Sequence, residues 1–231
     1  MNLLAIVPLL LPAWLDPAVI IHTLGNGALW GVAAILVIEC AIFPVLPGDS
    51  LLFTVGMFIA MNPPSITFGA LPAWAVLGIS LVILSLAAVL GNVIGYSVGA
   101  KVGHALFKPR EGFWGRIFDP KYVVATHAFF DRHGPRALVL ARFVPLIRTF
   151  VTLIAGASGM DRRTFIKWTA IGGVAWSLLI TVAGYFLGTV PFIGDNIDAV
   201  LVVIVLVSLL PMGVEWLKSR RKTAAAASVE A

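Results

Sequence analysis

ALVLARFVPLIRTFVTLIAGASG, running from Ala137 to Gly159, is apolar and close to bilayer-crossing length, yet it carries Arg142 and Arg148 and is interrupted by Pro145. Basic clusters flank it on both sides, Lys101 to Arg136 before it and Arg162 to Lys167 after it. Lys and Arg collect in cytoplasmic loops, so both flanks belong on one side of the membrane. A segment whose two ends share a side must enter and return. Its contents agree: Pro145 removes a backbone donor in mid-segment, Gly156 and Gly159 loosen the chain, and guanidiniums are expensive in lipid. Irregular backbone at membrane depth is tolerated only where protein or a wet cavity surrounds it, and a re-entrant hairpin provides both.

The rest of the chain sorts itself around that hairpin. Of 231 residues, 60% are hydrophobic and 12% charged, against about a quarter charged in an average soluble domain. Ser50 to Ala100 holds no Asp, Glu, Lys or Arg, well beyond the roughly 20 apolar residues that cross a bilayer. All 16 Lys and Arg lie between Lys101 and Lys222. With the three basic clusters cytoplasmic, Ile166–Val190 and Ala199–Leu217 form a pair of spans joined outside by a turn free of Lys and Arg, and the C-terminus is cytoplasmic. Ala28–Phe43 and Trp74–Ala100 are two further spans. Between them Pro44 to Met61 contains Pro44, Pro47, Gly48 and Asp49, and the cation-free turn Asn62-Pro63-Pro64-Ser65 follows, so this piece dips in from outside.

Offsetting the sequence by one hundred residues pairs Phe43 with Phe143, Leu46 with Leu146 and Gly56 with Gly156. Each half then continues into a span with a Gly-Tyr-x-x-Gly element, Gly95–Gly99 and Gly184–Gly188. Together with the opposite entry sides, this is the pattern of an inverted repeat with broken helices meeting near the midplane. The expected fold is an all-α polytopic membrane protein, an inverted repeat with two opposed re-entrant helical hairpins plus about four transmembrane helices. Its parts are an N-terminal interfacial segment (1–26), a membrane core (27–190) with hairpins at about 44–61 and 137–159 and a cytoplasmic amphipathic loop at 101–136, a C-terminal transmembrane helix (191–217) and a cytoplasmic tail (218–231).

Four ionisable residues stand in apolar surroundings: Glu39, Asp49, Arg142 and Arg148. Each costs about 2.5 to 3.5 kcal/mol at a helix centre, so the set costs roughly 10 kcal/mol unless paired or hydrated. One role for them is a salt-bridged lock between hairpins, but buried pairs stabilise poorly compared with apolar packing. The other is a site. A guanidinium fork matches phosphate oxygens and stays charged when buried, so two arginines brought together by the break at Pro145 suit a phosphate. Glu39 and Asp49 can take up and release protons, coupling anion movement to the proton gradient, or can coordinate sodium. Arg132, near the mouth of the second hairpin, is a further candidate for substrate contact.

Other features read as architecture. Gly91, Gly95, Gly99 and Gly103 form a stripe for close helix approach, which also permits a homodimer. Lys108, Arg110, Arg116 and Lys121, interleaved with Phe107, Phe113, Trp114, Phe118 and Tyr122, suit a segment lying at headgroup level. The net charge of +5 fits the cytoplasmic clusters and anionic lipid rather than nucleic acid. Cys40 alone supports neither a disulfide nor a thiolate metal site, and His22, His104, His127 and His133 show no ligand spacing. No metal or cofactor is expected.

The blocks Phe130-Asp131-Arg132-His133-Gly134, Ala141-Arg142-Phe143-Val144-Pro145-Leu146-Ile147-Arg148-Thr149 and Ala155-Gly156 resemble the signature of DedA-family membrane proteins, whose shared region is also called the VTT or SNARE-associated domain. Glu39 followed by Phe43-Pro44-Val45-Leu46-Pro47-Gly48-Asp49-Ser50 resembles the family's first motif. The similarity covers roughly Gly27 to Gly188. It implies a bacterial plasma-membrane protein with two opposed re-entrant hairpins, in a family implicated in flipping polyprenyl (undecaprenyl-type) phosphate, the recycled carrier of cell-envelope synthesis, and, in eukaryotic relatives, in scrambling phospholipids. It places the family's acidic pair on Glu39 and Asp49 and its essential arginines on Arg142 and Arg148. Family members often carry Glu where this chain has Asp49, which keeps the charge and shortens its reach.

Four classes of function compete. A proton-coupled lipid-phosphate carrier uses all four charged residues. A phospholipid scramblase needs no gradient. A small-ion or drug exchanger needs only Glu39 and Asp49. A lipid-phosphate phosphatase is disfavoured by the lack of a Gly-x-Ser-x-Gly elbow or of a nucleophile beside a base. The carrier, not an enzyme, is the expectation.

Overall fold

The computed structural model describes residues 23–24, 27–42, 48–61, 66–106, 130, 133–143 and 147–190. The expectations placed on Pro44, Pro47, Arg132 and Pro145, on the N-terminal segment apart from 23–24, on residues 107–129, on the helix at 191–217 and on the tail lie outside those residues. Every regular element among the described residues is a helix: α1 (Ala28–Ala41), α2 (Gly48–Ala60), α3 (Ala73–Leu106), α4 (Ala137–Ala141), α5 (Ile147–Ala157) and α6 (Arg162–Gly188).

Two of them, over Ala73–Val102 and Arg162–Gly188, are long and apolar enough to cross a membrane. Nothing charged or proline-like interrupts α3 after Ala73, and it runs past the expected end at Ala100 to take Lys101 into the helix. Trp74, Val82, Leu86 and Leu90 on α3 and Leu178, Leu179 and Phe186 on α6 point outward and are exposed, a surface that suits lipid. The expected span Ala28–Phe43 is a helix of only 14 residues, about 21 Å at 1.5 Å per residue, which falls short of the roughly 30 Å hydrocarbon core. The described residues therefore hold two full-length helices where about four spans were expected, the last of those four lying at 191–217.

Local chemistry sets the ends of the second half. Helix α5 closes in a left-handed turn: Gly159 has φ +70°, with Met160 N–H donating to Ala155 O and Gly159 N–H to Gly156 O, each at 3.1 Å. These are the paired bonds of a Schellman motif, with glycine where a side chain would be strained. Gly156 lies inside α5, within the expected hairpin at 137–159, and Gly159 makes the turn that ends the helix. Helix α6 then starts on Asp161, which accepts from Thr164 N–H at 2.8 Å. That backbone donor holds the exposed Asp161 carboxyl below the usual carboxylate range.

The short helices pack on the long helix of the other half, α2 on α6 and α5 on α3, while α1 runs beside α3 and α4 beside α6. Two pairs of glycines make the crossings close. A Cβ on Gly56 would reach within 2.8 Å of Tyr185 N and nearer still to Thr181 O, and one on Gly156 would reach within 2.8 Å of Ala100 N and nearer still to Tyr96 O. Reciprocally, Gly184 faces the backbone of Phe53 and Gly99 that of Leu153. The buried apolar residues form two clusters. One gathers Leu36, Leu51, Phe58, Leu84 and Trp176; the other gathers Tyr96, Leu138, Ala141, Val151 and Phe165, with the Tyr96 and Phe165 rings stacked at 4.5 Å.

Candidate functional site

The four charged residues meet where helices end. Glu39 and Cys40 sit in the last turn of α1, and Asp49 in the first turn of α2, where the helix dipole favours a negative charge. Arg142 caps α4 and Arg148 opens α5. Helix α4 ends at Ala141, Arg142 and Phe143 lie in a turn, and Arg148 belongs to a separate helix, so the two guanidiniums are not bound to the different faces an unbroken helix would give them. Glu39 is fully buried, Arg142 and Arg148 are 3% and 6% exposed, and the Asp49 side chain keeps 20% of its surface. Gly48 is what lets α2 begin against Glu39, because a Cβ there would lie within 2.6 Å of the Glu39 carboxyl carbon.

Arg148 holds both acids with its fork. Nη1 donates to Asp49 Oδ1 at 2.8 Å and Nη2 donates to Glu39 Oε1. Asp49 Oδ1 also accepts from Trp176 Nε1 at 2.8 Å. Arg142 is treated differently. Nη1 donates to Asn92 Oδ1 at 2.5 Å and Nη2 to Cys40 Sγ at 3.3 Å; Nε is buried without a hydrogen-bond partner. The ion pairs seen among the described residues go to Arg148, while the Glu39 carboxylate is near enough to attract Arg142. Both guanidinium carbons approach the Trp176 ring, at 4.9 Å for Arg142 and 4.7 Å for Arg148, so the indole spreads part of the repulsion between two buried cations.

Glu39, Asp49, Arg142, Arg148 and Gly48 thus converge, while Arg132, Pro44, Pro47 and Pro145 lie outside the described residues and Gly156 belongs to a helix crossing. Asn92, Trp176 and Cys40 complete the site without having been singled out. Asn92 was findable as a lone amide in a charge-free span, where a polar group needs a partner. Trp176 was findable from its depth, midway along α6 and far from the interfacial belt where membrane tryptophans collect. Arg136 and Lys167 do not enter the site; they flank the Trp168 ring at 5.8 and 5.6 Å. Among the described residues no cluster of His, Cys, Asp and Glu could hold a metal ion.

The arrangement has counterparts. Residues 43–186 match the family described as the VTT domain. The chain is 44% identical over 188 residues to an uncharacterized membrane protein of Mycobacterium tuberculosis strain H37Rv, covering 81% of this chain and 78% of that one. It is 36% identical to the protein DedA of Escherichia coli K12 (80% and 78% covered) and 33% identical to the inner membrane protein YghB of the same strain (78% of each). No solved structure matches the chain.

Proposed function

Since the chain belongs to the VTT-domain, or DedA, family of membrane proteins, we propose that it is a transporter that moves a lipid phosphate across the bacterial inner membrane, with a polyprenyl phosphate of cell-envelope synthesis as cargo and the proton gradient as driving force. The observation that carries this reading is the asymmetry of the two arginines. Arg148 is held by two carboxylates, whereas the contacts of Arg142, equally buried, among the described residues are an amide, a thiol and an indole. A buried guanidinium that no carboxylate is seen to hydrogen-bond is incompletely compensated, and an anion that reaches it lowers that cost.

Coupling follows from competition for Arg148. While Glu39 and Asp49 are charged they occupy its fork. Protonation of either carboxylate releases donors that can join Arg142 on a phosphate, and loss of the proton on the other side recaptures Arg148 and expels the anion. A phosphate and a proton therefore travel together. The fold proposed around this exchange is an inverted repeat in which α2 and the α4–α5 break enter from opposite faces as re-entrant hairpins. The matched glycine crossings of α2 on α6 and α5 on α3 support it, as does the outward apolar surface of the two long helices.

The test is movement of a labelled polyprenyl phosphate in liposomes holding the wild-type protein or Arg148→Lys, with and without an imposed pH gradient. Transport by wild type only with the gradient, and by the variant under neither condition, is expected. Equal movement without a gradient, extending to ordinary phospholipids, identifies a scramblase instead. Retained activity after both arginines are replaced would identify a small-ion exchanger.

A further inference from the structure

Arg142 donates to the Asn92 amide oxygen, which fixes the amide's orientation and leaves Nδ2 as a donor pair with nothing to bind. Asn92 is fully buried and Arg142 nearly so. An amide nitrogen and a guanidinium Nε without partners among the described residues, away from water, each forfeit the free energy of a hydrogen bond to solvent. Opposite them on α6 stands Gly173. Its neighbour Gly172 abuts Val139, whose Cα would lie 3.1 Å from an added Cβ, but a Cβ on Gly173 would have room, with Val89 Cγ2 at 3.4 Å and both Arg142 Nη2 and Asn92 Nδ2 at 3.9 Å. A side chain at 173 would point at both nitrogens, so glycine leaves their approach open to an acceptor oxygen seated between them at normal hydrogen-bond length, where an added methyl would crowd it.

We propose that this notch, walled by Gly173 and faced by Asn92 Nδ2 and Arg142, is the seat of one phosphate oxygen, making Asn92 and Gly173 substrate-binding positions. The inference rests on the phosphate-carrier reading and deepens it by stating how the headgroup is recognised. The two polar atoms nearest the notch, Asn92 Nδ2 and Arg142 Nη2, are both donors beside the apolar Val89, so they favour an oxyanion over a cation or an amine. The shared chemistry is that of a phosphate monoester headgroup and of free phosphate.

The test is calorimetric titration of the purified full-length protein with farnesyl phosphate and, separately, with inorganic phosphate, alongside its melting temperature. Gly173→Ala fills the notch and removes no interaction. It is expected to melt no lower than wild type, because alanine outranks glycine in a helix, yet to bind farnesyl phosphate at least about ten-fold more weakly, a loss of about 1.4 kcal/mol. Asn92→Ala is expected to weaken binding similarly. Asn92→Asp, which sets a carboxylate against Arg142, is expected to abolish it in a protein that stays folded. Parallel losses with both probes assign the seat to the phosphate group itself; losses with farnesyl phosphate alone assign it to a membrane-anchored headgroup, and either sustains the proposal. Wild-type affinity in folded Gly173→Ala and Asn92→Ala, beside a clear loss in Arg142→Lys, overturns the seat while the carrier reading stands. Failure of wild type to bind either probe overturns the carrier reading itself.

Discussion

Glu39, Asp49 and Arg148 are a triad in which one guanidinium compensates both acids, and their energetics separate in a mutant cycle over all three. Removing one partner strands a charge. Arg148→Met is expected to destabilise the protein by about 3 to 5 kcal/mol, whereas Arg148→Met combined with Glu39→Gln and Asp49→Asn should recover most of that loss; unfolding in mild detergent measures both. Function should separate differently. Glu39→Gln keeps the shape of the acid and removes its titratable group, leaving Asp49 on Arg148. Lipid-phosphate movement in this variant is expected to persist while losing at least ten-fold of its response to an imposed pH gradient, and a response equal to wild type would exclude Glu39 from coupling. At this scale the sequence was informative because charge in an apolar run is conspicuous. Glu39, Asp49, Arg142 and Arg148 announced themselves by cost. Asn92 and Trp176 did not, since an amide and an indole are unremarkable in a span until a guanidinium is set against them.

Helix crossings depend on what is absent from the crossing point. Gly56→Ala and Gly156→Ala drive a methyl into the backbone of α6 and α3, and each is expected to cost about 1 to 3 kcal/mol as overpacking despite the better helix former. Gly78→Ala, where nothing lies within 4 Å, is expected instead to gain up to about 1 kcal/mol. Thermal melts of the three side by side decide it. At the start of α6, Asp161 stabilises the first turn in its charged form. Its carboxyl is held below the ordinary value, so that contribution is complete above the normal carboxylate range and disappears as pH falls through the lowered value. Asp161→Asn should flatten this dependence, which amide exchange at Thr164 reads directly. The glycine stripe on α3 was legible from its spacing of four. Its division was not: Gly91 meets Val37 and Cys40 of α1, whereas Gly99 meets Leu153 of α5. Spacing gives a face, and only the fold says how many neighbours share it. The register was similarly hidden. Aligning the Gly-Tyr-x-x-Gly elements pairs Gly95 with Gly184, but the glycine whose crossing matches that of Gly184 is Gly99, one helical turn further along.

Across the whole molecule, the class of fold was readable because hydropathy and basic clusters are averages over many residues, while the length of α1 was not, because a helix end is set by a few local residues and their tertiary contacts, here Glu39 against Gly48. The proposed opposite entry of the two halves makes a geometric prediction. In a Cys40→Ala background, Met61→Cys at the end of α2 should react with an impermeant maleimide added outside intact cells, and Ser158→Cys at the end of α5 should react only after permeabilisation; labelling of both from one side would rule out the inverted arrangement. The crossings described above also bear on biosynthesis. Helix α2 leaves the ribosome long before α6, its principal partner, exists. At about 5 to 20 residues per second, translation from Ala60 to Gly188 takes on the order of ten seconds, during which the Gly56 face of α2 has no α6 to close upon it. Helix α5, by contrast, finds α3 already made. A nascent chain released before Arg162 should therefore be a substrate for membrane quality-control proteases, and the second half, not the first, sets the moment at which the protein becomes resistant to them.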